Sequence, residues 1–220
     1  MRGVPWRAVW SGSPPAVLKL IFREFEMLHP ISRLAAAVVL SFASAAAMAQ
    51  PAELEGVKLD AAAQVASAPL VLNGAGVRTR AFFKVYVAAL YVPKKATDAA
   101  TLFAQTGPRR VAITMLRDVD AATFAGALND GLKDNHTEAQ LTALKPQIDA
   151  LNAAFKQVGE AKKGDVIHLD FAPDVGTRVL VNGQARGGAI AGDAFYSALL
   201  RVWLGDKPAD GALKKGMLGG

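Results

Sequence analysis

The 220-residue chain contains no cysteine. That excludes a disulfide framework, a thiolate nucleophile and any Cys-ligated zinc or iron–sulfur centre. Histidine is nearly as scarce: after residue 49 only His136 and His168 remain, with no His-x-x-x-His or Glu-x-x-His spacing. A lone histidine in a strand is read as a packed or half-exposed side chain, and neither a metal nor a cofactor is expected. The same stretch holds two serines, Ser67 and Ser197, neither in a nucleophile elbow, which argues against a serine hydrolase. Clustered positive charge is missing too. The formal net charge is +6, but Arg2, Arg7, Lys19, Arg23 and Arg33 stand against only Glu24 and Glu26 in the first 49 residues, leaving 20 basic and 17 acidic side chains beyond them. What remains are pairs such as Lys94-Lys95, Arg109-Arg110, Lys162-Lys163 and Lys214-Lys215, placed where strands and helices are predicted to end. A nucleic-acid surface needs clustered cations interleaved with aromatics, so no nucleic-acid partner is expected.

What is present in quantity is apolar material, 52% of the residues, enough for a proper core and too much for a disordered chain. The one long apolar run lies near the N-terminus. Met27 opens a short region with one cation, Arg33, followed by apolar residues from Leu34 and by Ala47-Met48-Ala49, a small-residue box of the type signal peptidase accepts. The charge-free stretch Leu34–Ala52 could just span a bilayer, but its second half is mainly Ala and Ser. The sequence therefore predicts an upstream extension over 1–26, a signal peptide over 27–49 and cleavage after Ala49. It also predicts a periplasmic product without a stable membrane anchor.

From 50 to 220 there is no linker and no internal repeat, so a single domain is predicted. Asn73-Gly74-Ala75-Gly76 is read as a turn, with β-rich sequence from Val77 to Val92 and again over Arg110–Leu116. Lacking a third glycine, Gly74–Thr79 is no dinucleotide fingerprint. Asp120 is an N-cap for a helix carrying Phe124, Leu128 and Leu132. Thr137-x-x-Gln140 is a capping box for a second helix with the stripe Leu141, Leu144, Ile148, Leu151, Phe155 and Val158, which Pro146 should kink or divide. Strands are predicted at Val166–Phe171 and Thr177–Val181, with Asn182-Gly183 as a hairpin turn, and Asp193 as the cap of a last helix over Ala194–Leu204. Strands at both ends with helices between give an α+β fold, a largely antiparallel sheet covered on one face by helices.

One group of polar side chains stands out. Arg78, Lys84 and Tyr86 share one parity of the Val77–Val92 stretch. This face is either solvated or covered by the helices so as to leave a pocket. In the second case an arginine fork and a phenol in an apolar cavity suit a carboxylate or a polarised carbonyl oxygen. Eight residues of straight strand span about 26 Å, so Arg78 and Tyr86 can meet only if the chain turns back near Thr79–Phe82.

Leu72–Arg78, Phe83–Tyr91, Lys163-Gly164-Asp165, the segment from Gly176-Thr177 to Asn182-Gly183, and Trp203–Pro208 follow one another in an order that resembles the chalcone isomerase-like family, in its bacterial exported branch. The resemblance implies an open-faced β-sandwich with ligand held between sheet and helices. It also implies one of two activities: cyclisation of chalcones to flavanones, or fatty-acid binding with an arginine and a tyrosine holding the carboxylate. Arg78 matches the family's arginine, and Tyr86 falls where the enzymes place threonine, as in the fatty-acid-binding members. Met115 matches the enzymes' lysine and Phe124 their tyrosine, with Asn129-Asp130-Gly131 near the asparagine position. Two apolar residues there remove groups that would stabilise a developing enolate. The leading expectation is thus a non-catalytic periplasmic protein that binds an apolar carboxylic acid through Arg78, Tyr86, Met115 and Phe124. The alternatives are a chalcone isomerase-type isomerase and a structural or interaction module in which Arg78 pairs internally with an acidic side chain.

Overall fold

The computed structural model describes residues 52–220, so the predicted extension, signal peptide and cleavage point lie outside the described residues. Seven antiparallel strands form the central sheet, in the order β11-β10-β9-β6-β5-β4-β3. Two of them, β4 (Ala68–Arg80) and β5 (Phe83–Val92), are the long arms of one hairpin. The others are β3 (Ala62–Val65), β6 (Arg109–Met115), β9 (Val166–Ala172), β10 (Gly176–Val181) and β11 (Gln184–Ile190). A small hairpin of β1 (Ala52–Leu54) and β2 (Val57–Leu59) precedes the sheet, and a short ladder pairs β7 (Val119–Asp120) with β8 (Glu160–Ala161). Among the described residues there are six helices: α1 (Ala99–Ala104), α2 (Ala121–Asn135), α3 (Glu138–Ala143), α4 (Lys145–Lys156), α5 (Asp193–Leu204) and α6 (Gly211–Met217). The α+β architecture is the predicted one.

Local chemistry sets several boundaries where the sequence placed them. Asp120 caps α2 by accepting from the Thr123 N–H, and Thr137 and Gln140 form the reciprocal capping box of α3. The predicted second helix is divided at Leu144, with Pro146 in the first turn of α4 where its missing N–H costs nothing. Of its stripe, Leu151 and Phe155 are buried, whereas Leu141, Leu144, Ile148 and Val158 pack half-buried against the core. Asn182 and Gly183 both take positive φ in the β10–β11 turn, as a two-residue hairpin demands.

Two expectations are corrected. Asn73-Gly74-Ala75-Gly76 is not a turn but the middle of β4, with an irregularity in the ladder between Leu72 and Gly74. The glycines are there because α6 lies directly on them: a Cβ on Gly74 would come within 2.2 Å of the Gly216 carbonyl oxygen. Asp193 does not cap α5, whose N-cap is Gly192. Its carboxylate instead pairs with the guanidinium of Arg109 and accepts from the Ser197 hydroxyl. The Arg109-Arg110 pair opens β6, at a strand end as predicted, yet it is largely sequestered from solvent. Successive strand residues face opposite sides, so Arg109 is fully buried against Phe171 and Tyr196, while Arg110 forms a two-pronged ion pair with Asp170 on the other face.

The sheet buries apolar side chains on both faces. The main core lies between it and the helices and contains Tyr86, Ala88, Leu90, Met115, Phe124 and Trp203. A smaller cluster, with Leu59, Val65, Leu70, Val87, Ala89 and Tyr91, fills the opposite side under β1, β2 and β3. Coverage is therefore not confined to one face, which explains why β5 is an almost unbroken apolar run.

Candidate functional site

The chain does turn back where the meeting of Arg78 and Tyr86 requires it. Arg80 and Phe83 are the last paired residues of the β4–β5 hairpin, with Ala81 and Phe82 forming its tip. This reversal makes Arg78 and Tyr86 direct cross-strand partners, and both face the helices. The guanidinium carbon of Arg78 lies 5.9 Å from the centre of the Tyr86 ring.

Between the hairpin and α2 is a cavity of about 460 Å3. Its walls carry Val85, Phe124 and Leu128, with Phe83 towards the hairpin tip; its polar residues include Arg78, Tyr86, Arg80 and Arg117. Phe124 enters the cavity because it occupies the core-facing row of α2 with Leu128 and Leu132. Its ring is 5.9 Å from that of Tyr86 and 5.2 Å from that of Phe155, so it forms the floor of an aromatic cluster. Met115 pairs with Tyr86 on the next strand and is buried; the cavity does not reach it. Three of the four sequence-predicted site residues thus share one space, and the fourth lies beside the tyrosine on the next strand.

The tyrosine is held in a defined orientation. Its hydroxyl oxygen accepts from the indole N–H of Trp203 at 3.0 Å, both groups being buried. An indole N–H only donates, so this bond leaves the phenolic proton unused. Burial pushes the Tyr86 pKa up, against the opposing pull of Arg78, and the phenol is neutral at physiological pH.

Two acidic side chains on the wall are already committed. Asp120 caps α2, and Asp118 accepts from the Lys163 backbone N–H at 2.8 Å. That N–H, with Lys162 at 3.7 Å, holds the Asp118 carboxyl below the usual range. Arg78 is in none of the ion pairs among the described residues. It attracts Asp210, the N-cap of α6, whose carboxylate accepts from the N–H groups of Thr79, Ala212 and Leu213. Burial opposes ionisation of Asp210, but these donors outweigh it and hold the carboxyl low, with Arg78 adding attraction.

Reasoning from sequence missed Arg80, Phe83, Arg117 and Trp203. Arg80 shares its parity with Arg78, and Trp203 lies in the Trp203–Pro208 tail that carries part of the resemblance. Arg117 lies in an irregular segment after β6 and had no pattern to mark it. Among the described residues no three His, Cys, Asp or Glu side chains are grouped to hold a metal, and no helix is long and apolar enough to cross a membrane.

A family model described as chalcone isomerase-like matches residues 51–219. No curated protein matches the chain. Among solved structures, the crystal structure of a fatty-acid binding protein from Arabidopsis thaliana superposes with a TM-score of 0.57 at 13% identity, covering 74% of this chain and 92% of that one. That likeness is one of fold.

Proposed function

This chain belongs to the chalcone isomerase-like family, and from that premise we propose that it binds an apolar carboxylic acid such as a fatty acid, without transforming it, in the periplasm. The observation that carries the proposal is the side-by-side placement of Arg78 and Tyr86 on the wall of an apolar cavity, with no ion-pair partner for Arg78 among the described residues. A half-buried guanidinium facing an apolar space favours an anionic ligand, since charge-assisted hydrogen bonds are about twice as strong as neutral ones. The phenolic O–H, turned away from Trp203, donates to the second carboxylate oxygen. The tail lies against Val85, Phe124 and Leu128. A volume of about 460 Å3 falls within the range of roughly 300–1,000 Å3 common to small-molecule sites. One solved structure with this fold is a fatty-acid binding protein, which supports this ligand class. Binding without catalysis agrees with the apolar Met115 and Phe124, neither of which can donate a proton or hydrogen bond to a developing enolate.

Titration of long-chain fatty acids into wild type and Arg78→Ala tests the site. Loss of a charge-assisted bond worth about 1.5–3 kcal/mol weakens binding roughly tenfold to hundredfold in the variant. Equal affinities would remove Arg78 from the site, and turnover of a chalcone above its spontaneous rate would make the protein an isomerase. Amino-terminal sequencing of the exported product is expected to begin near Gln50.

A further inference from the structure

The hairpin that brings Arg78 to Tyr86 ends in an unusual tip. Phe82 is 96% exposed and Phe83 59%, and they are two of the four exposed large hydrophobic side chains among the described residues. They are adjacent in sequence at the apex of two long paired strands, so the fold holds them out rather than leaving them on a loose loop. Cations surround them. Arg80 is exposed beside the tip, and the exposed Arg117 lies with its guanidinium carbon 4.6 Å from the centre of the Phe83 ring. Lys84 is neutralised by Glu55 at 2.7 Å, and the nearby Asp118 and Asp120 are held by backbone N–H groups and, for Asp118, by Lys162.

We propose that this tip docks on the surface of an anionic phospholipid bilayer, with Phe82 and Phe83 entering the interface and Arg80 and Arg117 contacting headgroups. Exposed apolar rings such as those of phenylalanine bury at the headgroup–acyl boundary, and each nearby Lys or Arg adds attraction to an anionic leaflet. Such binding strengthens when an apolar and an electrostatic signal act together. Two phenylalanine rings are far too small for a stable protein interface, which needs about 800 Å2 from each partner. Charge and size therefore favour a lipid surface over a protein. Phe83, Arg80 and Ala81 also line the cavity. A docked tip accordingly sets the cavity against the bilayer, where an apolar ligand passes between the two with little exposure to water. This inference goes beyond the ligand reading and stands or falls separately from it.

The absence of cysteine makes the test specific. Phe82→Cys carries an environment-sensitive fluorophore at the tip, and Val175→Cys carries it in the turn between β9 and β10 as the reference. Vesicles free of fatty acid are used, of phosphatidylcholine with or without phosphatidylglycerol, so that docking is read apart from acid binding. The expected result is a blue shift and a several-fold rise in emission at position 82 on the anionic vesicles alone, with position 175 unchanged. Arg80→Gln combined with Arg117→Gln in the Phe82→Cys background weakens vesicle affinity roughly 30-fold, as loss of two surface cations predicts. A label at 82 that stays in water on anionic vesicles overturns the proposal, as does an equal response on neutral ones. A response that grows with protein concentration without vesicles also overturns it and assigns the tip to a second copy of the chain.

Discussion

Tyr86 ties the site to the core. Its ring packs on Phe124, its hydroxyl takes the Trp203 N–H, and its cross-strand neighbours are Arg78 and Met115. Changing one partner of a buried hydrogen bond leaves the other unsatisfied, at a cost of about 1–3 kcal/mol, whereas removing both leaves no orphan. Tyr86→Phe is therefore expected to lower unfolding free energy by that amount and also to weaken acid binding. Adding Trp203→Phe to Tyr86→Phe costs less than the two single changes summed, as a double-mutant cycle by denaturant unfolding will read. Strict additivity would mean that the hydroxyl and the indole do not interact in solution. Little of this was legible beforehand. The parity of Arg78 and Tyr86 and the need for a chain reversal follow from strand geometry, but the Trp203 partner comes from 117 residues away.

Among the elements, α6 decides how β4 is used. Only seven residues long, it carries no propensity signal of its own, and its first turn is set by the Asp210 cap. It is seated by backbone contact: Gly74 and Gly76 of β4 face Gly216 and Leu213, and buried Asn73 donates to the Met217 carbonyl while accepting from the Ala96 N–H. The local reading of Asn73–Gly76 as a turn used the conformational freedom of glycine, whereas the fold uses its lack of a side chain. Gly74→Ala places a methyl group where the Gly216 carbonyl oxygen stands, and neither backbone can yield cheaply. The variant is expected to lose roughly 2–3 kcal/mol in chemical denaturation, within the range for overpacking. Hydrogen exchange should quicken first in α6, and a loss below about 0.5 kcal/mol would mean that helix and strand do not press together as described. By contrast, α2, α3, the break at Leu144 and the β10–β11 turn were readable, because each is set by residues within four positions of one another.

At the scale of the whole molecule, all three tyrosines, Tyr86, Tyr91 and Tyr196, lie buried, and burial raises the pKa of each. Tyr91 and Tyr196 also donate to backbone carbonyls of Asp60 and Leu169, bonds that need the phenolic proton. Tyrosine in the unfolded chain ionises near pH 10. Above that pH the folded state therefore holds more protons than the unfolded one, and stability falls as pH rises. This contribution is complete below about pH 10 and is lost towards the raised native values. An alkaline titration is expected to show phenolate absorbance appearing together with loss of far-ultraviolet circular dichroism, in one transition displaced above pH 10. Gradual ionisation around pH 10 with secondary structure intact would contradict the burial of these rings.

The sequence by itself determined the fold class, the family resemblance, the starts of α2 and α3 and the condition under which Arg78 meets Tyr86, because caps, turns and strand parity act over a few residues and leave local patterns. Tertiary structure alone decided that α6 covers β4, that Asp193 serves Arg109 rather than a helix end, that Met115 stays outside the cavity, and that two phenylalanines stay uncovered at the hairpin tip. Each of these depends on which surface meets which across the folded sheet, and such meetings leave no trace in the spacing of residues along the chain.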